Sequence, residues 1–174
     1  MARLRKFVAY RHLETPYTRF SKYKNKNYVR ARPVCKVVRF YAGEVEKPFE
    51  YELQLVSKDD LQIRDNAIES ARQCSTRVLE KALGKTGYFL QCRIYPHHVL
   101  RENPLATGAG ADRMSTGMAR PFGKSIGIAA QIKKGKILFI ARVNKQHLGL
   151  ARTALKRAAG KLPCSTSILT LKLK

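Results

Sequence analysis

The clearest alternation in the chain is FEYELQLV, residues 49–56, where Phe49, Tyr51, Leu53 and Leu55 interleave with Glu50, Glu52 and Gln54. A period of two predicts a half-buried strand with an acidic outer face. CKVVRF, residues 35–40, predicts a short strand before it. The period then lengthens. Leu61, Ile68, Ala71, Val78 and Leu79 fall near one stripe of a helix over residues 57–83. Ser57 can cap that helix, Asp59 and Asp60 suit its first turn, and Gly84 can stop it. YFLQCRIY, residues 88–95, predicts another strand, which Pro96 interrupts and which residues 97–100 can resume. Residues 126–132 and 137–143 flank KKGK, residues 133–136, the pattern of a β-hairpin with a basic tip. Leu148, Ala151, Leu155 and Ala158 form the apolar stripe of a second helix, between Asn144 and Gly160. Its other faces carry Lys145, Arg152, Lys156 and Arg157. SILTLKLK, residues 167–174, alternates as a final strand. Strands and two helices in this order predict a compact α+β domain over residues 34–174.

Two stretches hold neither period. Residues 1–33 mix Phe7, Tyr10, Tyr17, Phe20, Tyr23 and Tyr28 with Arg3, Arg5, Lys6, Arg11, Arg19, Lys22, Lys24, Lys26, Arg30 and Arg32. Aromatic rings among cations can stack on bases while the cations meet phosphates. The alternative is a disordered basic tail, but so many aromatics are unusual for disorder. A basic, aromatic extension that RNA orders is the expectation. The second stretch is residues 102–127, with five glycines and two prolines, which predicts a long loop. Structureless loops of this length are usually functional or disordered. A glycine-rich backbone bearing Arg113, Arg120 and Lys124, next to Arg101, can approach phosphates closely.

Charge sharpens this picture. Thirty-five Lys and Arg against 12 Asp and Glu leave a net charge of +23 on 174 residues. Residues 1–43 and 81–174 are strongly basic, whereas residues 44–80 hold nine of the acids and are net negative. Basic ends around an acidic middle predict one face for a polyanion and another for water or protein. Nucleic acid is the first candidate partner and an anionic membrane surface the second. The second helix has a modest, alanine-rich stripe, which argues against membrane binding. No apolar run approaches 18 residues, so no transmembrane helix is expected. The N-terminus lacks the apolar stretch of a secretory signal.

Catalytic chemistry finds little support. The four cysteines are widely spaced with no CxxC, which speaks for reduced thiols and against zinc. His97 and His98 are adjacent, and adjacent strand residues point to opposite faces, so they suit RNA contact or structure better than one shared metal. A nuclease would need convergent acids or a base with a nucleophile. Outside the acidic middle only Glu14, Glu102 and Asp112 are available, and they form no motif. No enzyme activity, cofactor, metal or homo-oligomer is expected, and a basic nucleic-acid-processing enzyme is the rival reading.

GAGADRMSTGMARPFGK, residues 108–124, with YPHHVLREN upstream at 95–103 and SIGIAAQI downstream at 125–132, closely resembles one family. This is the universal large-subunit ribosomal protein family, numbered sixteen in bacteria and ten-e in archaea and eukaryotes. Weaker likeness runs from YRHLETPYTR, residues 10–19, to KLPCSTSI, residues 161–168, and HVLRENP looks archaeal. The resemblance implies an α/β-hammerhead fold and a cytoplasmic ribosomal location. It implies binding to large-subunit rRNA between the peptidyl-transferase region and the central protuberance, near 5S rRNA and neighbouring ribosomal proteins. It also implies that a long loop points towards tRNA. The residues matching that loop are Gly110, Ala111, Asp112, Arg113, Met114, Gly117, Met118, Phe122 and Gly123. The rRNA contacts expected are Arg3, Arg5, Lys6, Arg11, Arg19, Lys22, Lys24, Arg30, Arg32, His97, His98, Arg101, Arg120, Lys124, Lys133, Lys134 and Lys136.

Overall fold

Two antiparallel sheets meet two helices in a computed structural model that describes residues 4–103, 117–118, 120 and 122–173. In chain order the strands are β1 (Tyr41–Gly43), β2 (Tyr51–Ser57), β3 (Leu61–Arg64), β4 (Phe89–Cys92), β5 (His98–Glu102), β6 (Lys124–Ile132), β7 (Ile137–Val143) and β8 (Thr166–Lys172). Helix α1 (Asp65–Leu83) follows β3, and α2 (Leu148–Ala159) follows β7. The larger sheet has the order β1-β4-β7-β2-β8 and the smaller β3-β6-β5. Helix α2 packs on β2 and β7, α1 packs on β3 and β6, and the helices pack on each other. Their contact side chains, Ile68, Ala71 and Leu79 of α1 with Ala151, Ala154, Leu155 and Ala158 of α2, are buried in one core with Leu53, Leu55, Ile63, Leu138 and Phe139. The α+β class expected from the pattern is the observed one.

Several local expectations differ. Residues 35–40 are irregular, and the strand begins only at Tyr41, although Cys92 N–H still donates to Phe40 O at 2.8 Å. Ser57 does not cap a helix. It ends β2, and its hydroxyl bonds Asp59 O at 2.9 Å to shape a turn into β3. Asp59 and Asp60 sit in that turn and accept backbone N–H groups from Ser165 and Lys134. Leu61 therefore belongs to a strand, and the helix starts at Asp65. The four residues LQIR fit the helical stripe and a strand alternation equally well, so period alone does not separate them. Gly84 stops α1 as expected, at φ 67°, with its N–H on Glu80 O at 3.0 Å.

The β6–β7 hairpin is not formed. β6 pairs with β3 and β5, whereas β7 pairs with β2 and β4, so residues 133–136 carry the chain from one sheet to the other. Turn chemistry fits a hairpin, but each strand is paired on both edges elsewhere, β6 between β3 and β5 and β7 between β2 and β4. Strand β5 likewise does not resume β4 beyond Pro96; it joins the smaller sheet. Glu52, expected on an outer face, is buried at 7 % exposure. It faces Arg142 in the β2–β7 register and pairs with its Nε at 2.8 Å. β8 covers the other edge of β2, and Glu52 is buried only because its charge is matched.

Candidate nucleic-acid interface

The N-terminal segment, expected as an extension that RNA orders, is held by the fold's own contacts from Leu4 onward. Gln62 N–H of β3 donates to Arg11 O at 3.1 Å, and Val99 N–H of β5 donates to Tyr17 O at 3.2 Å. The segment thus crosses the smaller sheet at both edge strands. Val29 is buried there with Val99 and Ile128, and Tyr17 packs beside them. Tyr28 and Val29 N–H groups both reach Arg19 O at 3.1 Å, which closes residues 19–28 into a loop. Apolar anchors and backbone bonds order this segment, while its cations remain at the surface.

Those cations are paired with rings at short range. Arg19 lies 4.8 Å from the centroid of the Tyr28 ring, and Lys22 and Lys26 lie 5.3 and 5.6 Å from that of Tyr23. Arg32 lies 5.5 Å from the Tyr95 centroid and donates to the Tyr95 hydroxyl and to Pro96 O. Lys24 sits in a 3-10 turn over Lys24–Lys26. Lys6, Arg11, Lys22, Arg30, Lys124, Lys133, Lys134 and Lys136 are exposed. Arg30 and Lys124 line one cleft with Tyr17 and Tyr28. Lys133, Lys134 and Lys136 lie on the turn joining the sheets, where Lys134 N–H bonds Asp60. Arg5 forms an ion pair with Glu102.

The long loop begins after Glu102 of β5, and its return strand starts at Lys124, two residues before the expected Ile126. Leu100 pairs with Gly127 and Arg101 with Ser125, so Ile126 is an extra residue that bulges β6. The bulge lies beside Arg101. Its guanidinium donates to Arg120 O and Phe122 O at 2.7 Å and to Met118 O at 3.2 Å. Arg120 has φ 48°, rare for a residue with a side chain, and the Arg101 bond to its carbonyl supports that turn. Gly123, at φ 87°, leaves room for Met118, whose Cε would lie 2.7 Å from an added Cβ. Of the other loop residues expected at the tRNA side, Gly117 and Phe122 are described, and Gly110, Ala111, Asp112, Arg113 and Met114 lie outside the described residues, as does Arg3.

The two histidines separate, although His97 lies outside the strand, which begins at His98. His98 is buried, and its Nδ1 accepts from Tyr17 N–H at 2.8 Å. Burial first, and then the charges of His97 and Arg101, depress its pKa to about 4. It is therefore neutral at pH 7, with its proton on Nε2. His97 stays half-exposed against Tyr95 O. Among the described residues no three His, Cys, Asp or Glu side chains cluster as a metal site would need. All four cysteines are free, and burial pushes the Cys92 thiol up to about 11. No described helix is long and apolar enough to cross a membrane. Tyr23 and Tyr28, named among the aromatics of the basic segment, take part in these ring–cation pairs, as does Tyr95, which the sequence pattern did not single out. The one available signal was the interleaving of aromatics with cations.

Residues 14–169 match the family model described as Ribosomal protein L16p/L10e. The chain is 45 % identical over 152 residues to the large ribosomal subunit protein uL16 of Methanococcus maripaludis, which covers 87 % of this chain and 88 % of that one. It is 44 % identical over 160 residues to the uL16 of Staphylothermus marinus, covering 91 % and 92 %. Both relatives are archaeal and carry the name of a ribosomal protein and not of an enzyme. The resemblance seen in residues 95–132 thus extends along most of the chain, and the protein belongs to the ribosomal protein L16p/L10e family.

Proposed function

We propose that this chain is a structural component of the large ribosomal subunit, without chemistry of its own, that binds large-subunit rRNA near the peptidyl-transferase region and the central protuberance. The observation that carries this reading is the N-terminal segment, fixed across the smaller sheet with its arginines and lysines exposed and set beside tyrosine rings. Family membership supplies the subunit. Phosphate neutralisation supplies affinity, and the fixed backbone supplies register. Arg11, Arg19, Lys22, Lys24, Arg30, Arg32 and Lys124 are the contacts this favours, and Lys133, Lys134 and Lys136 form a second, separate basic tip. Arg101 and His98 serve it by holding the interface in shape. The loop over residues 103–123 reaches towards tRNA, near 5S rRNA, and neighbouring ribosomal proteins cover the acidic face. The resemblance in residues 108–124 supports that part.

The test is a salt titration of the purified chain on a large-subunit rRNA fragment. The logarithm of the binding constant should fall by about 0.7–0.9 for each phosphate neutralised per unit of log salt. A slope near zero would remove the electrostatic reading, and failure to enter reconstituted large subunits would remove the ribosomal one.

A further inference from the structure

A cleft of 560 Å³ opens between the N-terminal segment and β5, lined among others by Tyr10, Glu14, Tyr17, Tyr28, His98 and Arg101. Its size falls within the range of small-molecule sites, about 300–1,000 Å³. Its walls are fixed before any ligand arrives. The Tyr17 hydroxyl donates to Tyr28 O at 2.6 Å, Tyr17 N–H to His98, and the Tyr10 hydroxyl accepts Arg5 N–H at 3.0 Å. Arg19 and Arg120 also line it, so three guanidinium groups face one carboxylate. A second cleft shares Tyr17, Tyr28 and Arg101 and adds Arg30 and Lys124.

We propose that the larger cleft takes the base of one unstacked ribonucleotide of an RNA chain, with the adjoining phosphate carried by Arg30 and Lys124 in the second cleft. This rests on the rRNA-binding reading above and specifies what the RNA inserts. Tyrosine rings and guanidinium planes are the surfaces on which extruded bases stack. The neutral His98 ring offers a donor, and the Glu14 carboxylate an acceptor, to the polar edge of a base. Double-stranded RNA presents only phosphates and shallow groove edges and would leave the cleft empty. An isolated mononucleotide offers the same ring, but without flanking phosphates it forgoes the second cleft.

The probes are a single-stranded RNA hexamer carrying 2-aminopurine, the same hexamer in a duplex, and free AMP, GMP, CMP and UMP. The single strand should bind with quenched 2-aminopurine fluorescence, the duplex without quenching, and the mononucleotides at least about tenfold more weakly. Tyr28→Leu should weaken single-strand binding about tenfold, while Tyr28→Phe, which keeps the ring, should restore it. In reconstituted large subunits, chemical probing should find a few rRNA bases protected with the native chain and reactive with Tyr28→Leu. Thermal melting of both variants controls for folding, and Arg19→Ala supplies a second probe should Tyr28→Leu unfold. Subunits that incorporate Tyr28→Leu and Arg19→Ala with footprints identical to the native one would overturn the cleft and leave the rRNA-binding reading intact. Equal quenching by single strand and duplex would overturn it as well, and mononucleotides that bind as tightly as the hexamer would reassign the cleft to free nucleotides. Loss of rRNA binding at every salt would instead defeat the function on which the proposal rests.

Discussion

The Arg101 guanidinium carbon lies 3.7 Å from the centroid of the Tyr17 ring while the same group holds three carbonyls of the loop's return, at residues 118, 120 and 122. One side chain thus ties the N-terminal segment to the stem of the long loop. The β-bulge at Ile126 gives it that position. A flat fork with donors on two edges and an open face is what arginine has and lysine lacks.

Arg101→Lys should therefore behave more like Arg101→Ala than a conservative change would. Each should lower stability by about 1–3 kcal/mol, through lost charge-assisted bonds and lost ring stacking. Urea unfolding of the two variants checks this. Native stability in Arg101→Lys would show that charge alone suffices.

Glu52 is buried, accepts from Arg142, and also accepts from Gln54 Nε2 at 2.6 Å. Glu52→Ala leaves the Arg142 charge without its partner. Arg142 keeps 38 % of its side chain exposed, so water offsets part of the loss. The expected cost is about 2 kcal/mol, below the 3–5 kcal/mol of a fully buried pair. It should appear as a lower urea midpoint at an unchanged slope. Glu52→Gln should cost less.

His98 makes stability depend on acid. The folded ring stays neutral down to about pH 4, against an ordinary value of 6.5, because burial disfavours its charge. Between those values protons bind the unfolded chain and draw the equilibrium towards it. Stability is fully present above pH 6.5 and declines as the pH falls towards 4, by at most about 1.4 kcal/mol per pH unit from this group. His98→Gln can still accept the Tyr17 N–H and does not titrate. The gap between native chain and variant should narrow in that window. Parallel pH profiles of the two would refute the assignment.

The ladder of β5 and β6 closes at Glu102 opposite Lys124, below the loop. Deleting residues 106–115 leaves that ladder and all three acceptors of Arg101 in place. The shortened chain should melt within about 2 °C of the native one, since every residue of the described core is retained. It should enter reconstituted large subunits, which should then make peptide poorly. Normal peptide synthesis by such subunits would deprive the loop of its proposed role at tRNA.

Side-chain period and charge determined much of this protein by themselves. The alternation of residues 49–56 placed β2, the stripe through Ile68, Ala71 and Leu79 placed α1, and the loop-flanking motif identified the family, because each is a local signal written in neighbouring residues. The basic, aromatic character of residues 1–33 was equally plain. Partners were not. Tertiary structure alone decided that β6 and β7 separate into different sheets, since strand pairing depends on the competition among all strands and not on the turn between two. It alone turned Leu61 from a helix stripe into a strand, because four residues are too few for period to discriminate. It buried Glu52 beside Arg142, whose sequence separation of 90 residues hides the pairing from any local pattern. And it set Tyr17 against both His98 and Arg101. The aperiodic N-terminal segment takes its course from the sheet it crosses and from bonds within itself, such as Tyr28 N–H on Arg19 O, which no local period announces.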